Sequence, residues 1–368
     1  MKIFKPVFLF PIAVIGLLFG MAGGWIRLGH LVFPLPETAV HHGALMVGGF
    51  LGTLISLERA MVLKGRFWLL VPLLSGLSVP FFVAGWAILG SYILLGASVG
   101  LMVIMYFQIL RNPTKYQYVM SFGAVCWMLG NFALVYSGFV PAVVPWWVGF
   151  ILFTIVGERL ELSRFLPTPK WAKRALSLFL VLFFVGLLIP FHNHGSWMMG
   201  AVVIGISFWL LQFDMSKITA LKSSQFRYIG IGLRVGYLWL TLHGIILALM
   251  SAHRLHYDLY IHTFFLGFTF SMIWAHAPII LPMILGIKGN MYHPILWIGW
   301  WLFQLSLLLR IFSSILGLFE FRSIFGVANG YFILGQFVLM AILAFLARGK
   351  KSKPAKVEIP VQTKAVER

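Results

Sequence analysis

Runs of about twenty apolar residues recur along the chain, separated by short stretches of charged, polar or turn-forming residues. An α-helix rises about 1.5 Å per residue, so each run is long enough to cross the hydrocarbon of a bilayer. Segments of this kind are helices, because a lone strand would leave its backbone groups unpaired in lipid. The pattern predicts about twelve spans, at residues 7–24, 40–63, 67–88, 90–110, 117–139, 142–163, 174–190, 196–213, 228–250, 258–286, 293–318 and 325–347. The expected fold is all-α, a polytopic membrane helix bundle occupying residues 1–348, and the basic tail at 349–368 shows no sign of a fold of its own. The first run opens on Lys2 and Lys5, as a secretory signal would, but Met21-Ala-Gly-Gly continues without a small-residue cleavage site. It reads as an uncleaved anchor.

Composition agrees, since 61% of residues are hydrophobic and only 10% are charged. Such a surface would not dissolve in water as a globular domain. The formal charge of +19 raises the question of nucleic acid, and its distribution answers it. Of 28 Lys and Arg, only Arg27, Arg254 and Arg322 fall on the side opposite the N-terminus, while Arg234 and Arg310 lie within spans. All the others are on one side, which is the positive-inside pattern. Both termini are therefore expected in the cytoplasm, with the bilayer as partner and no nucleic acid. The tail GKKSKPAKVEIPVQTKAVER is expected to lie in solvent or against anionic lipid. A single cysteine, Cys126, allows neither an intramolecular disulfide nor a cysteine metal cluster.

The eleven histidines are unevenly placed in this topology. His30, His41, His42, His192, His194, His253, His256 and His262 fall on the outer side, and His243 lies about two thirds of the way outward along its span; only His276 and His293 are in the inner half. Histidine at a membrane edge reaches water easily, whereas an unsatisfied imidazole within a span costs several kcal/mol. His243, His262 and His276 are thus the ones that require partners. Within IHTFFLGFTFSMIWAHAPIILP, His262 and His276 are fourteen residues apart, an advance of about 21 Å with nearly the same facing. They belong to different depths of one interior path. Pro278 and Pro282 free backbone carbonyls beside His276, which suits a deeper cavity. His42, His243 and His262 form the outer candidate ligand set, with Asp258 one turn from His262 as the carboxylate that orients it. Imidazoles suit haem iron or copper, and Arg27 and Arg254 are the residue type that holds haem propionates. The bland reading is that each histidine hydrogen-bonds a neighbouring helix.

Glu58-Arg59 and Glu158-Arg159 end two spans on the cytoplasmic side, extended by Glu161 and Arg164. They read as an ion network clamping helix ends, or alternatively as a proton entry point. Small-residue stripes at Gly16, Gly20 and Gly24, at Gly48 and Gly52, and at Gly96 and Gly100 suggest tight helix contacts. There is no phosphate-binding loop, dinucleotide fingerprint, nucleophile elbow or HExxH motif.

Three segments carry a family resemblance. HHGALMVGGF (41–50) resembles the second-helix histidine, methionine, glycine-phenylalanine signature of the NnrS family; RVGYLWLTLHGIILAL (234–249) resembles its late tyrosine-tryptophan span; and HTFFLGFTFSM (262–272) resembles its later His, Gly, Met helix. The positions of that family's second histidine and glutamate are Ala44 and Leu45 here. The resemblance implies a twelve-span bacterial inner-membrane protein that binds haem and copper and is linked to nitric oxide and nitrosative stress. It carries His42 and His262 over by position; His243 and His276 rest on the residues alone. Span count and outer histidines are also similar to the catalytic subunit of haem-copper oxidases, whose paired late-helix histidines are absent.

The leading expectation is therefore a haem- or copper-binding protein that handles nitric oxide or a related small ligand, with catalysis left open. The alternatives are a metal-free small-molecule permease with a histidine-lined pathway, and an assembly or interaction protein of a respiratory complex.

Overall fold

A computed structural model describes residues 6–31, 34–287 and 291–348. Lys2, Lys5, Lys288 and the basic tail from residue 349 lie outside the described residues. Twelve helices are long and apolar enough to cross a membrane: α1 (Pro6–Arg27), α2 (His42–Met61), α3 (Arg66–Val83), α4 (Ala87–Arg111), α5 (Lys115–Ser137), α6 (Val140–Leu162), α7 (Lys170–Leu188), α8 (Ser196–Phe213), α9 (Ser224–Leu249), α10 (His256–Leu285), α11 (Leu296–Ile315) and α12 (Phe319–Ala347). No strand occurs among the described residues. This is the architecture of a multi-pass membrane protein. Two ends differ from the sequence expectation for a local reason. The third helix stops at Val83, because Gly85 turns the chain at φ 81°. The twelfth begins at Phe319, because Gly317 at φ 72° leads straight into it.

Consecutive helices pack as antiparallel neighbours, with α5 against α6, α8 against α9 and α11 against α12. At the centre stand α2, α6 and α10, each with 72% of its span buried, against 33% for the peripheral α7 and α12. The first glycine stripe explains how α2 gets so close to α1. A Cβ on Gly16 would lie 2.7 Å from the backbone carbon of Gly49, and one on Gly20 would lie 2.6 Å from Met46 Sδ. The two backbones touch where side chains would keep them apart. In the last stripe Gly100 does the same against Val71, whereas Gly96 meets no neighbour within 4 Å.

Both histidine-bearing central helices depart from α geometry just after the histidine. Leu45–Gly52 in α2 and Thr263–Thr269 in α10 are π-helical. The wider turn rotates the two halves of the helix relative to each other, and such segments concentrate at functional sites.

Five helices, α1, α2, α6, α10 and α12, line two cavities at different depths, and α11 adds Arg310 to one of them. The near side is the end where α1 begins and α12 finishes, since Phe10 and Met340 line that cavity; the far side carries Arg27 and Arg322. Between them Phe50 stacks on Phe270 (ring centroids 6.0 Å) and meets Phe337 edge-on (6.2 Å). These three rings form an aromatic cluster.

Candidate functional site

The far-side cavity has a volume of about 630 Å³, within the range of sites for organic ligands. His42 from the first turn of α2 and His262 from α10 both line it, together with Asp258, Arg27, Arg310 and Arg322. His42 donates from Nδ1 to the Gly20 carbonyl at 2.6 Å. A carbonyl only accepts, so this contact fixes the Nδ1–H tautomer and leaves the Nε2 lone pair. Gly24 makes room for the ring, because a Cβ there would sit 3.2 Å from His42 Cε1. Its neighbour His41 takes a different course, pairing with Glu37 at 3.4 Å and leaning on Phe82. Burial pushes the His41 pKa down, opposed by the Glu37 carboxylate.

His262 is held the same way. Its Nδ1 lies 2.8 Å from the Asp258 carbonyl and 3.1 Å from the Asp258 carboxylate, so it too keeps Nδ1–H and has Nε2 as its acceptor nitrogen. Arg310 Nη2 stands 3.2 Å from that Nε2. Asp258 is also the counter-ion of Arg310 (3.4 Å) and Arg322 (3.0 Å). One carboxylate thus positions an imidazole and two guanidiniums, and both arginines retain donors for a further acid. His42 is within electrostatic reach of His262, Arg27 and Arg310.

Two expected members lie elsewhere. His243 is fully buried, donates from Nδ1 to the Tyr260 carbonyl at 2.9 Å and packs on Phe264; its Nε2 has no partner. Tyr260 and Phe264 are each two residues from His262, about 200° around α10, so His243 meets the opposite face of that helix. The expected three-histidine set is corrected to a pair, His42 and His262. Among the described residues no group of three or more His, Cys, Asp or Glu could hold an ion. Arg254 stacks over Phe319 (5.1 Å) and does not line the cavity; Arg310 and Arg322 stand where it was expected. The signal for Arg310 was there to be used, because an arginine within a span needs an interior partner.

The near-side cavity, about 120 Å³, is lined by Glu58, Glu158 and His276 among mostly apolar side chains. Arg59 Nη2 donates to Glu58 and to Glu158, both at 2.6 Å, joining the ends of α2 and α6. The adjacent Asp214, 1% exposed, accepts from Ser163 Oγ, Tyr237 Oη and the Ser216 amide. Sequence reasoning missed it, since a single Asp after an apolar run gives no hint of burial.

No curated protein and no solved structure matches the chain. The family described as "Domain of unknown function (DUF8744)" matches residues 6–346, nearly the full length, and the chain belongs to that family.

Proposed function

We propose that the far-side cavity is a haem seat, which His42 and His262 would hold, in a protein of the bacterial inner membrane that handles nitric oxide or a related small ligand. The observation that carries this reading is the matched pair of imidazoles. Each gives Nδ1–H to a carbonyl, lines one shared cavity and has Nε2 as its acceptor nitrogen, the one on His262 being met by Arg310. A histidine that ligates metal usually donates its other ring nitrogen in this way, which fixes its orientation and raises its basicity. Two imidazoles without a third protein ligand suit an ion that brings four nitrogens of its own better than bare copper. Arg27, Arg310 and Arg322 supply charge-assisted donors for propionates, and Asp258 keeps two of them in place. Ligation at His262 requires Arg310 to leave Nε2, which its bond to Asp258 permits. Bound haem would supply one-electron chemistry and affinity for diatomic ligands. The charge distribution supports a cytoplasmic near side, and with it cytoplasmic termini and a haem seat in the periplasmic half.

The test is haem and metal content of the detergent-purified protein expressed with haem precursor and copper. About one haem per chain supports the reading. Protein without haem or stoichiometric metal contradicts it. The placement of both cavities on the same five helices favours a second reading, a permease whose path the aromatic cluster interrupts. Uptake of small organic acids by vesicles containing metal-free protein, lost on His262→Ala, would support that one.

A further inference from the structure

We propose that the near-side cavity is a proton-binding site, in which Glu58 and Glu158 share one proton that exchanges with His276. The site is independent of what the far-side cavity binds.

Charge balance calls for the proton. Glu58 and Glu158 approach the same nitrogen of Arg59, and each is 26% exposed, so both keep an edge open to the cavity they line. Arg59 is itself buried, with its remaining contacts to Met120 Sδ and, through its carbonyl, to Gln108. The other cation of α6, Arg159, acts on Glu158 but also on Tyr237, the donor to Asp214. Asp214 is buried and accepts hydrogen bonds from Ser163, Tyr237 and Ser216. At the cavity itself two carboxylates therefore converge on one guanidinium, that of Arg59, while Arg159 is shared with Tyr237 and His276 and Arg234 bonds the Leu211 carbonyl. Glu161 adds further negative charge from the margin of α6. The walls from α1 and α12 are Phe10, Phe337 and Met340, which offer no compensation. Two carboxylates that close in an apolar setting cannot both stay ionised, and a shared proton is the usual resolution.

The imidazole supplies the exchange partner. His276 donates Nδ1–H to the Met272 carbonyl at 2.8 Å, leaving the Nε2 lone pair as a proton acceptor in the same cavity. A volume of about 120 Å³ accommodates water between it and the carboxylates. A metal ion would be repelled by the Arg59 guanidinium that already occupies both carboxylates, whereas a proton needs only one free oxygen. Phe50 and Phe337 of the aromatic cluster also line this cavity.

Infrared difference spectra of the full-length protein in lipid, taken between about pH 6 and about pH 9, test this directly. The expected result is a deuterium-sensitive C=O stretch of a protonated carboxylic acid at the lower pH. It should fall by at least about half in Glu158→Gln or Glu58→Gln, persist in Asp214→Asn, and titrate with a shifted midpoint in His276→Asn. The glutamines keep an acceptor for Arg59, and elution profile and helix content verify that each variant folds. No such band in the wild type, or a band unchanged in both glutamine variants, overturns the proposal.

Discussion

Arg59 illustrates how much a single side chain can hold in this bundle. Its guanidinium is 7% exposed and joins two carboxylates from different central helices. Removing one member of a buried ion pair leaves charge without compensation, at a cost of about 3–5 kcal/mol. Arg59→Ala should therefore lower thermal stability in detergent substantially, and Arg59→Lys less so; equal midpoints for Arg59→Ala and wild type would refute the network as drawn. At the other cavity, Gly24→Ala places a methyl 3.2 Å from the His42 ring. Overpacking of this kind costs about 1–3 kcal/mol, and here it should also displace the imidazole and reduce haem retention. Retention equal to wild type would show that the ring does not depend on Gly24. Residue chemistry was legible in the sequence only as far as depth. His42 and His262 sat at the right level, and so did His243, but facing across helices is a tertiary property, and it sent His243 to Tyr260 instead. Arg310 was visible as a charge within a span, without the Asp258 contact that gives it a purpose.

At the scale of elements, apolar run length located all twelve helices, because the bilayer imposes a length that no other structure needs. Their ends were less legible, since Gly85 and Gly317 act through backbone conformation, not hydrophobicity. The π-helical segments left no trace in the sequence pattern. A run such as LMVGGFLG reads equally well as α-helix, and its i to i+5 turn lies where α2 packs on α1 and α3. That geometry has a testable consequence. Deleting one residue within Leu45–Gly52, for instance Val47, should rotate His42 by about 100° relative to Glu58. Haem content should drop while circular dichroism still reports an intact helical bundle; full haem content in the deletion variant would dissociate the π segment from the site.

For the whole molecule, the five helices that wall both cavities come from the beginning, middle and end of the chain. His42 and His262 are 220 positions apart, so no spacing rule could have paired them. The fold alone brings them to one cavity. Orientation is a property of this scale as well. A fluorescent protein fused after Arg368 should fluoresce and a phosphatase fused there should stay inactive, as expected for a cytoplasmic end; the reverse would turn the bundle over and place the arginine-rich cavity inside the cell. The histidine pair is central to all of this, and absorption spectra of oxidised and dithionite-reduced protein test it most directly. A bis-histidine seat predicts a Soret band with sharp reduced bands, altered or lost in His42→Ala and in His262→Ala, and preserved in His243→Ala and Arg254→Ala. A flat visible spectrum after haem-replete expression, or bands that survive both His42→Ala and His262→Ala, would contradict it.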